Sequence, residues 1–77
     1  MFVCDLQHTN RVFDLIKNDD DCMVIIKRFI GYGFALFLDA LDICVKLLQD
    51  NLDIKIQYCR LDLDKLYRDF DDFLRGR

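Results

Sequence analysis

The stretch LDIKIQYCRLDLDKLYRDFDDFLRGR, residues 52–77, admits two readings, and the choice between them sets the fold class. Its opening LDIKIQY alternates apolar and polar residues with a period of two, the mark of a half-buried strand. Further on, Leu63, Leu66, Tyr67, Phe70, Phe73 and Leu74 recur at spacings that gather them on about a third of a helix circumference. Cys59, Ile56 and Leu52 extend that stripe backwards in steps of three and four, although a helix there leaves Ile54, Tyr58 and Leu61 on the opposite face. The charges tip the balance. Arg60, Asp64, Arg68 and Asp72 form a row of alternating sign at i,i+4 spacing, with Asp71 and Arg75 beside it and Lys65 one turn before Asp69. The row requires a helix that already exists at Arg60, beginning either there, after a short strand, or near Asp53, the favoured start. From Asp62 to Arg77 five aspartates stand among four basic residues, so this face is nearly neutral and reads as a solvated, salt-bridged surface.

Residues 34–49 carry Phe34, Phe37, Leu41, Val45 and Leu48 on one helical side and Asp39, Asp42, Lys46 and Gln49 on a narrow polar side. A second apolar row, Leu36, Ala40, Ile43 and Leu47, widens the arc to over half the circumference. That is more than one small core needs on one helix, so either the helix runs through the middle of the domain or the row faces a second subunit, and the row is the expected self-association interface. Asn51 is the expected helix end, because Asn tolerates the left-handed conformation.

Upstream, "NDDD" from Asn18 offers a cap and three acids, Lys27 and Arg28 fall in the last turn, and Gly31 stands at the expected left-handed C-terminal position. "GYG" at residues 31–33 then reads as a break between two helices. At the N-terminus Phe2, Leu6, Phe13 and Ile16 fit a stripe for a helix over residues 5–17, with Thr9 as the cap of a shorter version.

The fold class that follows is all-α, a single domain over residues 1–77 built as a bundle of three to four helices and completed by homodimerisation. The competing α+β reading places short strands near residues 2–6, 22–28 and 53–60. The expected core is Phe13, Ile26, Ile30, Phe37, Leu41, Leu48, Leu66, Phe70 and Phe73.

A chain of 77 residues with 53% hydrophobic content and no proline has a marginal core by itself, which is the second argument for a partner subunit. "MFVCDLQ" has no basic n-region of a signal peptide, so an intracellular location is expected, and with it free, mostly buried thiols at Cys4, Cys22, Cys44 and Cys59. The uncharged run FIGYGFALFL, residues 29–38, is about half a membrane span, and no span is expected.

No catalytic, cofactor or metal site is expected. The sole histidine, His8, stands four residues after Cys4 without an orienting third group, and no Glu exists to complete a calcium loop after Asp19–Asp21. Net charge of −3 without a basic stripe argues against direct nucleic-acid binding. All fourteen acidic residues are Asp, a skew seen in small, fast-diverging reading frames of viruses or mobile elements. The expected function is a small acidic protein-interaction or regulatory factor that self-associates. The alternative is an inhibitor that imitates phosphates with Asp19, Asp20, Asp21, Asp39, Asp42, Asp50 and Asp53.

Overall fold

The computed structural model describes residues 4–76, which form α1 (Leu6–Lys17), α2 (Asp20–Phe29), α3 (Phe34–Leu52) and α4 (Leu63–Arg75). Single 3-10 turns stand at Ile30–Tyr32 and Tyr58–Arg60, and there is no strand among the described residues. The fold is all-α. Residues 22–28 lie inside α2, and the strand expected near residues 53–60 is absent. Of the strand considered at residues 2–6, positions 2 and 3 lie outside the described residues, as does Phe2 of the first stripe; Leu6 opens α1.

Aspartate starts three of the four helices. Asp5 Oδ1 accepts from His8 N–H, Asp19 Oδ1 from Cys22 N–H and Asp62 Oδ1 from Lys65 N–H, each at 3.0 Å, so an otherwise orphaned amide in each first turn is satisfied. In α2 the acids Asp20 and Asp21 and the bases Lys27 and Arg28 sit at the ends the helix dipole favours. Gly33, at φ 110°, takes the backbone turn before α3, so the positive φ expected at Gly31 falls two residues later. Asp53, at φ 51°, ends α3 in place of Asn51.

The largest departure from the sequence reading is the connector, residues 53–62. Apart from the 3-10 turn at Tyr58–Arg60 it is neither strand nor helix, and α4 begins at Leu63, ten residues after Asp53. Four of its backbone groups are paired with groups from elsewhere in the fold. Ile56 N–H donates to Gln49 Oε1 at 2.9 Å, Gln57 N–H to His8 Nε2 at 3.0 Å, and Asp62 N–H to Thr9 Oγ at 3.0 Å, while Arg60 C=O accepts from Asp5 N–H at 2.9 Å. Thr9 is therefore not a cap. It is fully buried inside α1, donates to Asp5 C=O at 2.8 Å and accepts from the amide that opens α4. The irregular path also lets Ile56 and Leu61, which a helix would set on opposite faces, both reach the core.

With Arg60 outside α4, the row Arg60, Asp64, Arg68 and Asp72 gives no ion pair among the described residues, while both pairs expected beside it form. Lys65 pairs with Asp69 and Arg75 with Asp71, both at i,i+4.

The core holds Val12 and Ile16 of α1, Cys22, Met23 and Ile26 of α2, Phe37, Ala40, Leu41, Cys44, Val45 and Leu48 of α3, and Leu66 and Phe70 of α4. Ile30 also joins it. Two expected members do not. Phe13 is half-buried and Phe73 is 47% exposed, because both sit where α1 and α4 meet at the edge of the bundle. Leu6, at 55% exposed, likewise lies off the buried α1 face of Thr9, Val12 and Ile16.

Aromatic rings tie α4 to its neighbours. Phe70 lies 4.6 Å from Phe13 and 6.1 Å from Phe37, centroid to centroid, and Tyr67 meets Phe37 edge-on at 5.2 Å and Phe34 at 5.3 Å. Such pairs add about 0.5–1.5 kcal/mol each beyond their burial. Lys17 closes the outer end, its Nζ 5.4 Å from the Phe13 ring centre and 5.8 Å from that of Phe73.

Replacing Phe70 with Ala should lower stability by about 3–5 kcal/mol, enough to unfold a marginal domain, whereas Phe73→Ala should cost about 1 kcal/mol. Thr9→Val keeps the shape but strands the Asp62 amide, and should cost about 1–3 kcal/mol. Urea unfolding followed by far-UV circular dichroism measures all three, and equal losses for Phe70→Ala and Phe73→Ala would contradict the observed burial.

Candidate interaction surface

The second apolar row of α3 divides on folding. Leu36, Ile43 and Leu47 are 40%, 46% and 37% exposed, whereas Ala40 is 1% exposed. At about 100° per residue Ala40 falls between that row and Cys44, which places its short side chain inside the rim of the core. Ala40 is thus a core residue, not a surface one. The other three run along one flank of the longest helix in the molecule. Val24, Tyr32 and Leu52 are also exposed, but on other elements or at the end of α3.

The polar side of α3 carries exposed Asp39 and the surface pair Lys46–Asp42 at 3.0 Å, of a kind worth about 0.3–0.5 kcal/mol. Two of the acidic residues named from the sequence have side-chain partners within the fold. Asp19 caps α2 and Asp42 is paired with Lys46, while Asp20, Asp21, Asp39, Asp50 and Asp53 are exposed. An open groove of about 330 Å³ lies between α1 and the end of α3, where Leu15, Leu48 and Leu52 are bordered by Arg11, Asp14 and Asp19.

The four thiols fall into two classes. Cys22 and Cys44 are fully buried where α2 meets α3, with Cys44 Sγ 3.5 Å from Cys22 O and Cys22 Sγ 3.9 Å from Cys44 O. Burial pushes the Cys22 thiol up from 9.0 to about 11 and raises Cys44 further, because a thiolate there would lose its hydration. Cys4 and Cys59 are exposed, so the expectation of mostly buried thiols holds for only one pair.

The Cys4 and His8 pairing considered from the sequence is not formed. His8 Nε2 accepts from Gln57 N–H, and Cys4 Sγ lies 4.0 Å from Leu61 O. Among the described residues no group of three or more His, Cys or Asp side chains is placed to hold a metal ion, and no helix is long and apolar enough to cross a membrane. Comparison with known protein families, with curated proteins and with solved structures returned no match for this chain.

In the folded protein a thiol reagent should modify Cys4 and Cys59 quickly and reach Cys22 and Cys44 only on unfolding, as peptide mass mapping after timed alkylation would show. The buried pair also sets a pH dependence. Its folded pKa values lie above the unfolded one, so its contribution is fully present below pH 9.0 and is lost as pH rises through about 11. Urea midpoints measured across that range should fall steeply for the parent and less so for the Cys22→Ala, Cys44→Ala double variant.

Proposed function

We propose that this protein is a small helical interaction module that works by protein–protein contact and self-associates through the Leu36, Ile43 and Leu47 flank of α3. The observation that carries the reading is the exposure of those three large apolar side chains along a single helix edge. From position 36 to position 47 the row covers about 16 Å at 1.5 Å per residue, more than half of the 29 Å extent of the molecule. Apolar side chains aligned on one edge mark a contact surface more often than singly scattered ones do. A two-fold axis would set the row against its own copy, the commonest closed arrangement for a short chain.

A net charge of −3 opposes such pairing only weakly once salt screens it. The phosphate-imitating alternative has less support, because Asp19 caps α2 and Asp42 is paired with Lys46. Self-association by an apolar row should persist at high salt, whereas an acidic surface bound to a basic partner should release it.

Light scattering at two protein concentrations tests the proposal. The parent should show a dimer mass, Ile43→Asp should run as a monomer because a charge would be buried unpaired in both copies, and Asp42→Asn should keep the parent's mass. A parent that remains monomeric at every concentration overturns the self-association.

A further inference from the structure

The two exposed thiols, 55 positions apart in sequence, stand on two backbone segments that the fold joins directly. Asp5 N–H donates to Arg60 C=O at 2.9 Å; Cys4 immediately precedes Asp5, and Cys59 immediately precedes Arg60. Each cysteine Cα is therefore one peptide step, about 3.8 Å, from a residue of that bond. Cys4 Sγ is already turned onto the connector, 4.0 Å from Leu61 O. Neighbouring bonds hold the same two segments, with Thr9 Oγ accepting from Asp62 N–H and His8 Nε2 from Gln57 N–H. The buried pair differs in kind, since Cys22 and Cys44 have no exposed surface through which a reagent could approach.

From this juxtaposition we propose that Cys4 and Cys59 form a reversible disulfide that latches the start of α1 to the connector ahead of α4. A disulfide needs its Cα atoms roughly 4.4–6.8 Å apart, so the latch closes only if the residues preceding Asp5 and Arg60 come within that span. The oxidant is a small-molecule disulfide such as oxidised glutathione. The Cys59 thiolate attacks one glutathione sulfur, the glutathione S–S bond breaks, and one glutathione thiolate leaves. The Cys4 thiolate then attacks the Cys59 sulfur of the mixed disulfide and expels the second glutathione. Two protein thiols are oxidised to one disulfide, one glutathione disulfide is reduced to two thiols, and the two protons given up by the cysteines pass through solvent to the expelled thiolates. A reducing thiol runs the sequence backwards.

The latch would cross-link elements far apart in the chain, so it restricts the unfolded state and raises the unfolding temperature. It also adds a covalent tie where four hydrogen bonds now hold the connector, and makes the docking of α4 sensitive to the surrounding redox poise.

The test incubates the full chain with reduced and oxidised glutathione at fixed ratios, quenches with acid, alkylates the free thiols under denaturing conditions and maps peptides by mass. The expected product is a monomer-mass chain with a Cys4–Cys59 linked peptide, alkylated Cys22 and Cys44, no retained glutathione, and a higher melting temperature that returns to the starting value on reduction. Cys4→Ser and Cys59→Ser should each instead hold one glutathione on the remaining exposed thiol and show no redox-dependent melting. Stable glutathione adducts on both Cys4 and Cys59 in the parent, a disulfide between two chains, or unreacted thiols at every ratio would each overturn the latch. The double adduct excludes it most directly, because it shows both thiols reactive but out of reach of each other.

Discussion

Phe70 is the point on which the bundle closes. Its ring, fully buried on α4, meets Phe13 of α1 on one side and Phe37 of α3 on the other, so one side chain joins three helices. Tyr67, one turn earlier, meets both Phe37 and Phe34 of α3. Helices α2 and α3 are held together differently, by the continuity of a short turn and by small, soft residues. Cys22 and Cys44 reach each other's carbonyl oxygens there, and Ala40 lies in the same buried arc. A chain this short has few such contacts to spare, and the rings supply much of its apolar burial in few side chains.

Placing Phe70 requires that α4 start at the right point, and that depends on the connector. Nine residues lie between the left-handed turn at Asp53 and Leu63, and their polar backbone groups would be costly to bury unpaired. Gln49, His8, Thr9 and Asp5 satisfy them from two other helices. Thr9 has the central part. Its hydroxyl binds the cap residue of α1 and the cap residue of α4 together, so the starts of both helices are set by one buried oxygen.

The same architecture explains what remains on the surface. Helix α3 is contacted by each of the other helices, yet a 19-residue cylinder at the centre of a four-helix arrangement keeps one edge open. Leu36, Ile43 and Leu47 occupy it, with Ala40 tucked inward between them. A function exercised through that edge would use the part of the chain whose apolar content exceeds what its own core can cover. The exposed thiols stand elsewhere, at the α1 and connector junction, so the two proposals draw on separate parts of the molecule.

Much of this was legible in residue order. The all-α class, the break at residues 31–33, the acidic start and basic end of α2, and seven of the nine expected core residues follow from periodicity and end signals, because those are properties of neighbouring residues on one helix. The open flank at Leu36, Ile43 and Leu47 was likewise visible as an arc too wide for one core. What the order of residues left undetermined lies where distant segments meet. Residues 53–62 look helical by stripe and charge row, but Gln49 and the α1 side chains take up the amides of Ile56, Gln57 and Asp62, and the irregular path lets Ile56 and Leu61 enter the core together. Phe73 and Ala40 exchanged their expected places because exposure depends on which neighbouring helix covers a position. Local spacing determines which residues share a face of a helix; only the packing of the other helices determines how much of that face water can still reach.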